Sequence, residues 1–191
     1  MEFKKWRFIW TGIVGMLFML PIAYATFYFF DLIALLTGGL IQNFFVLARA
    51  IGGPIIGFFI SAFIGVFLIC LIPVHWALIN RPDNVMLMLA LILPWIICCS
   101  VMALLTSRNP QEGIFTSLAI GLGLFTIMAI FYVGLAIILA RFGGGAILDN
   151  VAIGFTGLPF FLLAAFLATM EGAGIGAVFA ALIGSLKYEP T

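Results

Sequence analysis

The stretch Gly53-Pro-Ile-Ile-Gly-Phe-Phe-Ile-Ser-Ala-Phe-Ile-Gly65 carries a small residue at every fourth position. These positions are Gly53, Gly57, Ser61 and Gly65, and an α-helix brings residues four apart onto one face. The residues between them are apolar, as are long stretches on both sides. Helices in lipid associate through close backbone approach and van der Waals contact, which a row of small residues permits. The stretch therefore predicts a membrane helix with a smooth packing face.

The same spacing of small residues returns near the C-terminus, at Gly172, Gly176, Ala180 and Gly184. Two such stripes predict two helices that pack closely. We expect them to mediate contact with a membrane-protein partner or with a second copy of the chain.

Composition independently indicates a protein of the lipid bilayer. Of the 191 residues, 65% are hydrophobic and only 8% are charged, whereas a soluble domain carries about 25% charged residues. The chain is therefore predicted to be an all-α, polytopic transmembrane helix bundle of about six spans with short loops. A net charge of +1 argues against nucleic acid as a partner.

The apolar runs predict the positions of the spans, since a crossing needs about 20 residues. Five spans are expected at about 8–30, 32–48, 54–78, 85–105 and 114–140, with a tight turn at Gly52-Gly53-Pro54. The run 151–186 has 36 residues and would measure roughly 54 Å as one helix. Either its first part lies in the interface before a single span, or two short spans turn near Glu171.

The distribution of positive residues predicts the orientation, because cytoplasmic loops are enriched in lysine and arginine. With both termini in the cytoplasm of a multi-pass cell-membrane protein, Arg81 and Arg141 face outward. The inward-facing residues are then Lys4, Lys5, Arg7, Arg49, Arg108 and Lys187. The first helix is expected to remain, kinked at Pro21. The alternative is a signal peptide cleaved after Ala25, since Ala23-Tyr-Ala25 fits a small-residue cleavage site.

Ionisable residues at membrane depth are costly and point to function. Asp31 and Arg49 fall at predicted span ends, and His75 is expected at the headgroup level. Glu171 lies about two turns inside if the last span starts near Leu163. It is then predicted to line a small polar cavity for a solute or ion with Thr37, Gln42, Asn43 and Asp31. Alternatively, Gln42 and Asn43 only hydrogen-bond a neighbouring helix.

Metal, cofactor and catalytic signals are weak in this sequence. Cys70, Cys98 and Cys99 lie in apolar runs, where a free thiol behaves as a small hydrophobe. A lone histidine builds no zinc site, and no GxSxG or HExxH motif is present. We therefore expect no metal, no cofactor and no catalytic residues.

Gly53-Pro-Ile-Ile-Gly57 and the small residues after it resemble helices in the vitamin-binding membrane subunits of energy-coupling-factor transporters. About a dozen residues carry the resemblance, and those subunits also have about this length and six spans. The resemblance implies a solute-binding transporter component, with its polar site around Glu171. The leading hypothesis from the residues is different: a non-catalytic subunit or accessory factor of a larger membrane assembly, acting through helix packing.

Overall fold

A computed structural model describes residues 2–29, 40–142 and 145–187 of the chain. Every regular element in these ranges is an α-helix, so the predicted all-α class is confirmed. The helices are α1 (Glu2–Phe29), α2 (Leu40–Leu71), α3 (Val74–Asn80), α4 (Val85–Thr106), α5 (Pro110–Phe142) and α6 (Gly145–Leu186).

Four of these helices contain segments long and apolar enough to cross a membrane. The segments are Ile9–Thr26, Val85–Thr106, Pro110–Gly134 and Pro159–Leu186. The chain is therefore an α-helical membrane protein, whereas the expected number of about six spans is not confirmed.

Two spans joined by a tight turn were expected in the region of α2. The helix runs from Leu40 to Leu71 and is kinked at Gly53, which has a positive φ of 74°. Glycine tolerates this backbone conformation because it has no Cβ. Gly53 therefore interrupts the helical conformation where the turn was expected, and the reversal of the chain there stays a prediction. The expected third span ends early, because the helix breaks at Ile72 and Pro73 before α3 begins.

Helix α6 lies against both α4 and α5. It runs antiparallel to α5, since a Cβ at Gly113 would meet Ala180 and the rings of Tyr132 and Phe161 stack at 5.6 Å. It runs parallel to α4, since Gly172 faces Trp95 and Gly176 faces Cys99. Helix α1 packs on α4 and α5.

The second stripe of small residues packs within the chain. Gly172 lies against the buried indole of Trp95, Gly176 against Cys99 and Ser117, Ala180 against Gly113, and Gly184 against Asn109. In the first stripe, a Cβ at Gly65 would lie 3.3 Å from backbone atoms of Ala23 on α1. Gly57 is buried, and the side chain of Ser61 lies outside the described part of the structure. The role of either stripe in contacting a partner stays a prediction.

Candidate functional site

Glu171 lies within α6, which continues unbroken through this position. Its carboxylate contacts the start of α3, 96 residues earlier in the chain. The backbone N–H of His75 donates to Glu171 Oε2 at 3.1 Å. The imidazole Nδ1 of His75 forms a second hydrogen bond, to Oε1. Both carboxylate oxygens are thus engaged by one residue.

The pair lies near the middle of the bundle along its axis. Glu171 precedes Gly172, which packs on Trp95. Trp95 lies halfway along the span Val85–Thr106. His75 therefore lies level with this tryptophan along the bundle, and the expectation that it lies at the headgroup level stays a prediction.

The chain reaches this level through the break between α2 and α3. Phe67 near the end of α2 contacts the ring of Tyr132, which stacks on Phe161. Phe161 precedes Glu171 on α6 by ten residues, or roughly 15 Å along a helix. Between Phe67 and His75 the chain therefore descends from the level of Phe161 to that of Glu171. Helix α3 then leads back towards the end of the bundle where α4 begins.

The break itself explains why a carboxylate is tolerated there. The first N–H groups of a helix lack partners within the helix, and in lipid each must be satisfied. Pro73 has no N–H, and the N–H of His75 is satisfied by Glu171. The carboxylate of Glu171 therefore hydrogen-bonds both the backbone of the first turn of α3 and the imidazole of His75.

The pair faces outward from the chain. The side chain of His75 is 52% exposed and that of Glu171 is 28% exposed. Exposed groups of this kind at mid-depth need water or another protein around them, because hydrocarbon offers no hydrogen bonds. Within the described residues, the second imidazole nitrogen, Nε2, makes no hydrogen bond.

The sequence predicted only one member of this pair as a site residue. Asp31 and Thr37 lie outside the described residues, and Gln42 and Asn43 lie in α2 with side chains that are not described. The cavity expected from these four residues and Glu171 is therefore untested. His75 was missed, and the signal that could have indicated it is Pro73, which marks a helix break two residues before.

Other site chemistry is sparse in the ranges that the structure describes. They hold no group of three or more His, Cys, Asp or Glu side chains able to bind a metal ion. The three cysteines are buried and free. Ser117 Oγ donates to the carbonyl of Ala173 at 2.7 Å, which joins α5 to α6 within the core.

The fold defines a helical membrane protein, and within the described residues His75 and Glu171 form a pair level with the middle of α4. No model of a known protein family, no curated protein and no solved structure matches the chain. The resemblance of residues 53–65 to vitamin-binding transporter subunits gains no support from these comparisons.

Proposed function

We propose that the protein is a membrane transport component that transfers protons, alone or coupled to a small solute, through His75 and Glu171. The observation that carries this proposal is the His75–Glu171 pair at the break between α2 and α3, level with the middle of the α4 span. Intramembrane ionisable residues are rare and commonly mark proton relays and ion pathways. Broken helices near the midplane commonly form solute and ion sites in transporters.

The chemistry of the pair suits reversible protonation. Nδ1 is held by Glu171 Oε1, which leaves Nε2 as the atom that exchanges a proton with water or with a bound solute. Loss of that proton leaves a neutral imidazole with its Nδ1–H still bonded to the carboxylate. The two protonation states thus keep the same geometry, and the pair returns to its starting state after each transfer.

Proton flux into liposomes tests this role directly. The purified chain is reconstituted into liposomes containing a pH-sensitive dye, and a potassium diffusion potential drives protons inward. We expect flux above that of protein-free liposomes, and we expect Glu171→Gln and His75→Gln to abolish the excess, since neither variant retains an imidazole bonded to a carboxylate. Asp83→Asn is the matched control, because Asp83 is an exposed carboxylate in the loop before α4.

Two results would overturn the proposal. One is a wild-type flux no greater than that of protein-free liposomes. The other is an unchanged flux in Glu171→Gln at equal inserted amounts of protein.

The assembly-subunit hypothesis is the second candidate, and the outward exposure of the pair favours it. A second copy of the chain seated over His75 would supply protein surroundings in place of lipid. Ile79 lies one turn beyond His75 on the same face of α3 and is 73% exposed. In a two-fold dimer centred there, Ile79 would approach its own counterpart.

Disulfide cross-linking in native membranes tests this arrangement. We expect Ile79→Cys, on a background lacking Cys70, Cys98 and Cys99, to form a dimer on mild oxidation. Leu17→Cys on α1 is the control for random collision, because Leu17 is exposed in this chain. If the Ile79→Cys and Leu17→Cys variants cross-link equally, a second copy of the chain does not cover His75.

A further inference from the structure

Positive side chains from separate parts of the chain meet at the end of the bundle opposite Arg81. Arg7 comes from α1, Arg108 from the loop between α4 and α5, and Lys187 follows the end of α6. All three line one cavity together with Leu105, Thr106 and Ser107. We call this region the basic end.

A second cavity of about 210 Å³ adjoins the first, since Arg7 and Thr106 line both. It runs between α1 and the start of α5, where Thr11, Thr116 and Phe115 contribute to its walls. The hydroxyls of Thr106 and Thr116 lie 3.3 Å apart, and Ser107 Oγ lies 3.4 Å from the latter. Hydroxyl groups and cations thus line two neighbouring cavities.

Cations outnumber carboxylates among the described side chains at and next to the basic end. Glu112 lines the adjoining cavity, and its Oε2 lies 3.4 Å from the Arg7 guanidinium and accepts the backbone N–H of Arg108 at 2.9 Å. The Lys187 ammonium donates to the Leu104 carbonyl. Among the side chains that the structure describes there, three cations stand against one carboxylate. The Arg108 guanidinium is exposed and has no acceptor among the described residues.

We propose that the basic end binds the phosphate headgroup of an anionic phospholipid. Its position fits, because it lies where four spans end and headgroups are found. Basic pockets between transmembrane helices are sites where anionic headgroups bind. The flanking Leu104 and Leu105 are exposed apolar side chains one turn or less from the cations. They offer acyl chains a surface that a free phosphate ion would not use.

The orientation expected from the sequence agrees with this ligand. Arg7, Arg108 and Lys187 were all assigned to the cytoplasmic side, where the leaflet is rich in anionic lipids. This proposal is independent of proton transfer at His75 and Glu171, which lie at mid-depth on another part of the molecule.

The site is tested by measuring how much phosphatidylglycerol the purified chain retains. The measurement is native mass spectrometry of the protein released from detergent. A lysine or arginine near the membrane surface contributes about fivefold to the binding of anionic lipid. We expect the double variant Arg108→Gln, Lys187→Gln to retain phosphatidylglycerol about 25-fold less well than wild type. Retention of phosphatidylcholine should not change. Glu112→Gln should strengthen phosphatidylglycerol retention, because it frees Arg7 from its carboxylate.

Two controls distinguish binding at this site from a general effect of net charge and from misfolding of the variant. Arg81→Gln removes one positive charge at the opposite end and should leave phosphatidylglycerol retention unchanged. The charge-preserving variant Arg108→Lys, Lys187→Arg should retain the lipid as wild type does. Equal retention by wild type and the Gln double variant would overturn the proposal. Displacement of the lipid by millimolar inorganic phosphate would overturn the lipid assignment in favour of a free phosphate ion.

Discussion

At the scale of single residues, the contact between Gly172 and Trp95 sets the rotation of α6. A Cβ placed on Gly172 would lie 2.0 Å from Trp95 Cε2 and 2.2 Å from its Nε1. Trp95 is among the largest fully buried side chains of the described chain, so its indole has little room to move. Glu171 directly precedes Gly172 in α6. The contact between Gly172 and Trp95 therefore also directs the carboxylate of Glu171 towards His75.

We therefore predict that Gly172→Ala destabilises the protein. Overpacking a core of this kind costs about 1–3 kcal/mol, and the change should lower the thermal unfolding midpoint in detergent. Gly174→Ala is the matched control: it lies in the same turn of α6, and its added Cβ would meet nothing within 4 Å. Trp95→Phe in the Gly172→Ala background should recover part of the loss, since the smaller ring relieves the clash. Equal midpoints for the two alanine variants would contradict the packing described here.

At the scale of helices, the sequence predicted best where local signals coincide. Where a span was expected at 85–105, the structure has a helix at Val85–Thr106 that is long and apolar enough to cross a membrane. Asn84 caps it by accepting the Leu87 N–H at 3.0 Å, and Ser107 ends it in an extended conformation. Polar capping residues flank an apolar run of one membrane thickness, so both ends are defined within a few residues.

Prediction failed where the outcome depended on distant contacts. His75 and Glu171 are 96 residues apart, and no periodicity links them. Glu171 could be singled out because it is ionisable and lies in an apolar run. His75, the partner of Glu171, could be identified only from the structure, which brings the break after α2 level with Trp95.

At the scale of the whole molecule, the two proposed sites lie at different depths. The His75–Glu171 pair is level with the middle of α4, whereas the basic end lies where α4 finishes and α5 begins. Along α6, Glu171 and Lys187 are 16 residues apart, or roughly 24 Å. A substitution at one site should therefore leave the other unchanged, as independent distant sites do.

The loops before and after α4 are expected on opposite sides of the membrane, because α4 is long enough to span it. The distribution of charge predicts which loop faces the cytoplasm. Asp83 precedes α4, while Gln111 lies in the first turn of α5, beyond the other end of that span. With the basic end inside, a membrane-impermeant maleimide should label Asp83→Cys in intact cells and should label Gln111→Cys only after permeabilisation. Cys70, Cys98 and Cys99 are buried, and their removal lowers any residual background. The reverse pattern would place the basic end outside, where it would meet the leaflet poorer in anionic lipid. In that case both the predicted orientation and the physiological ligand of the basic end would have to be revised together.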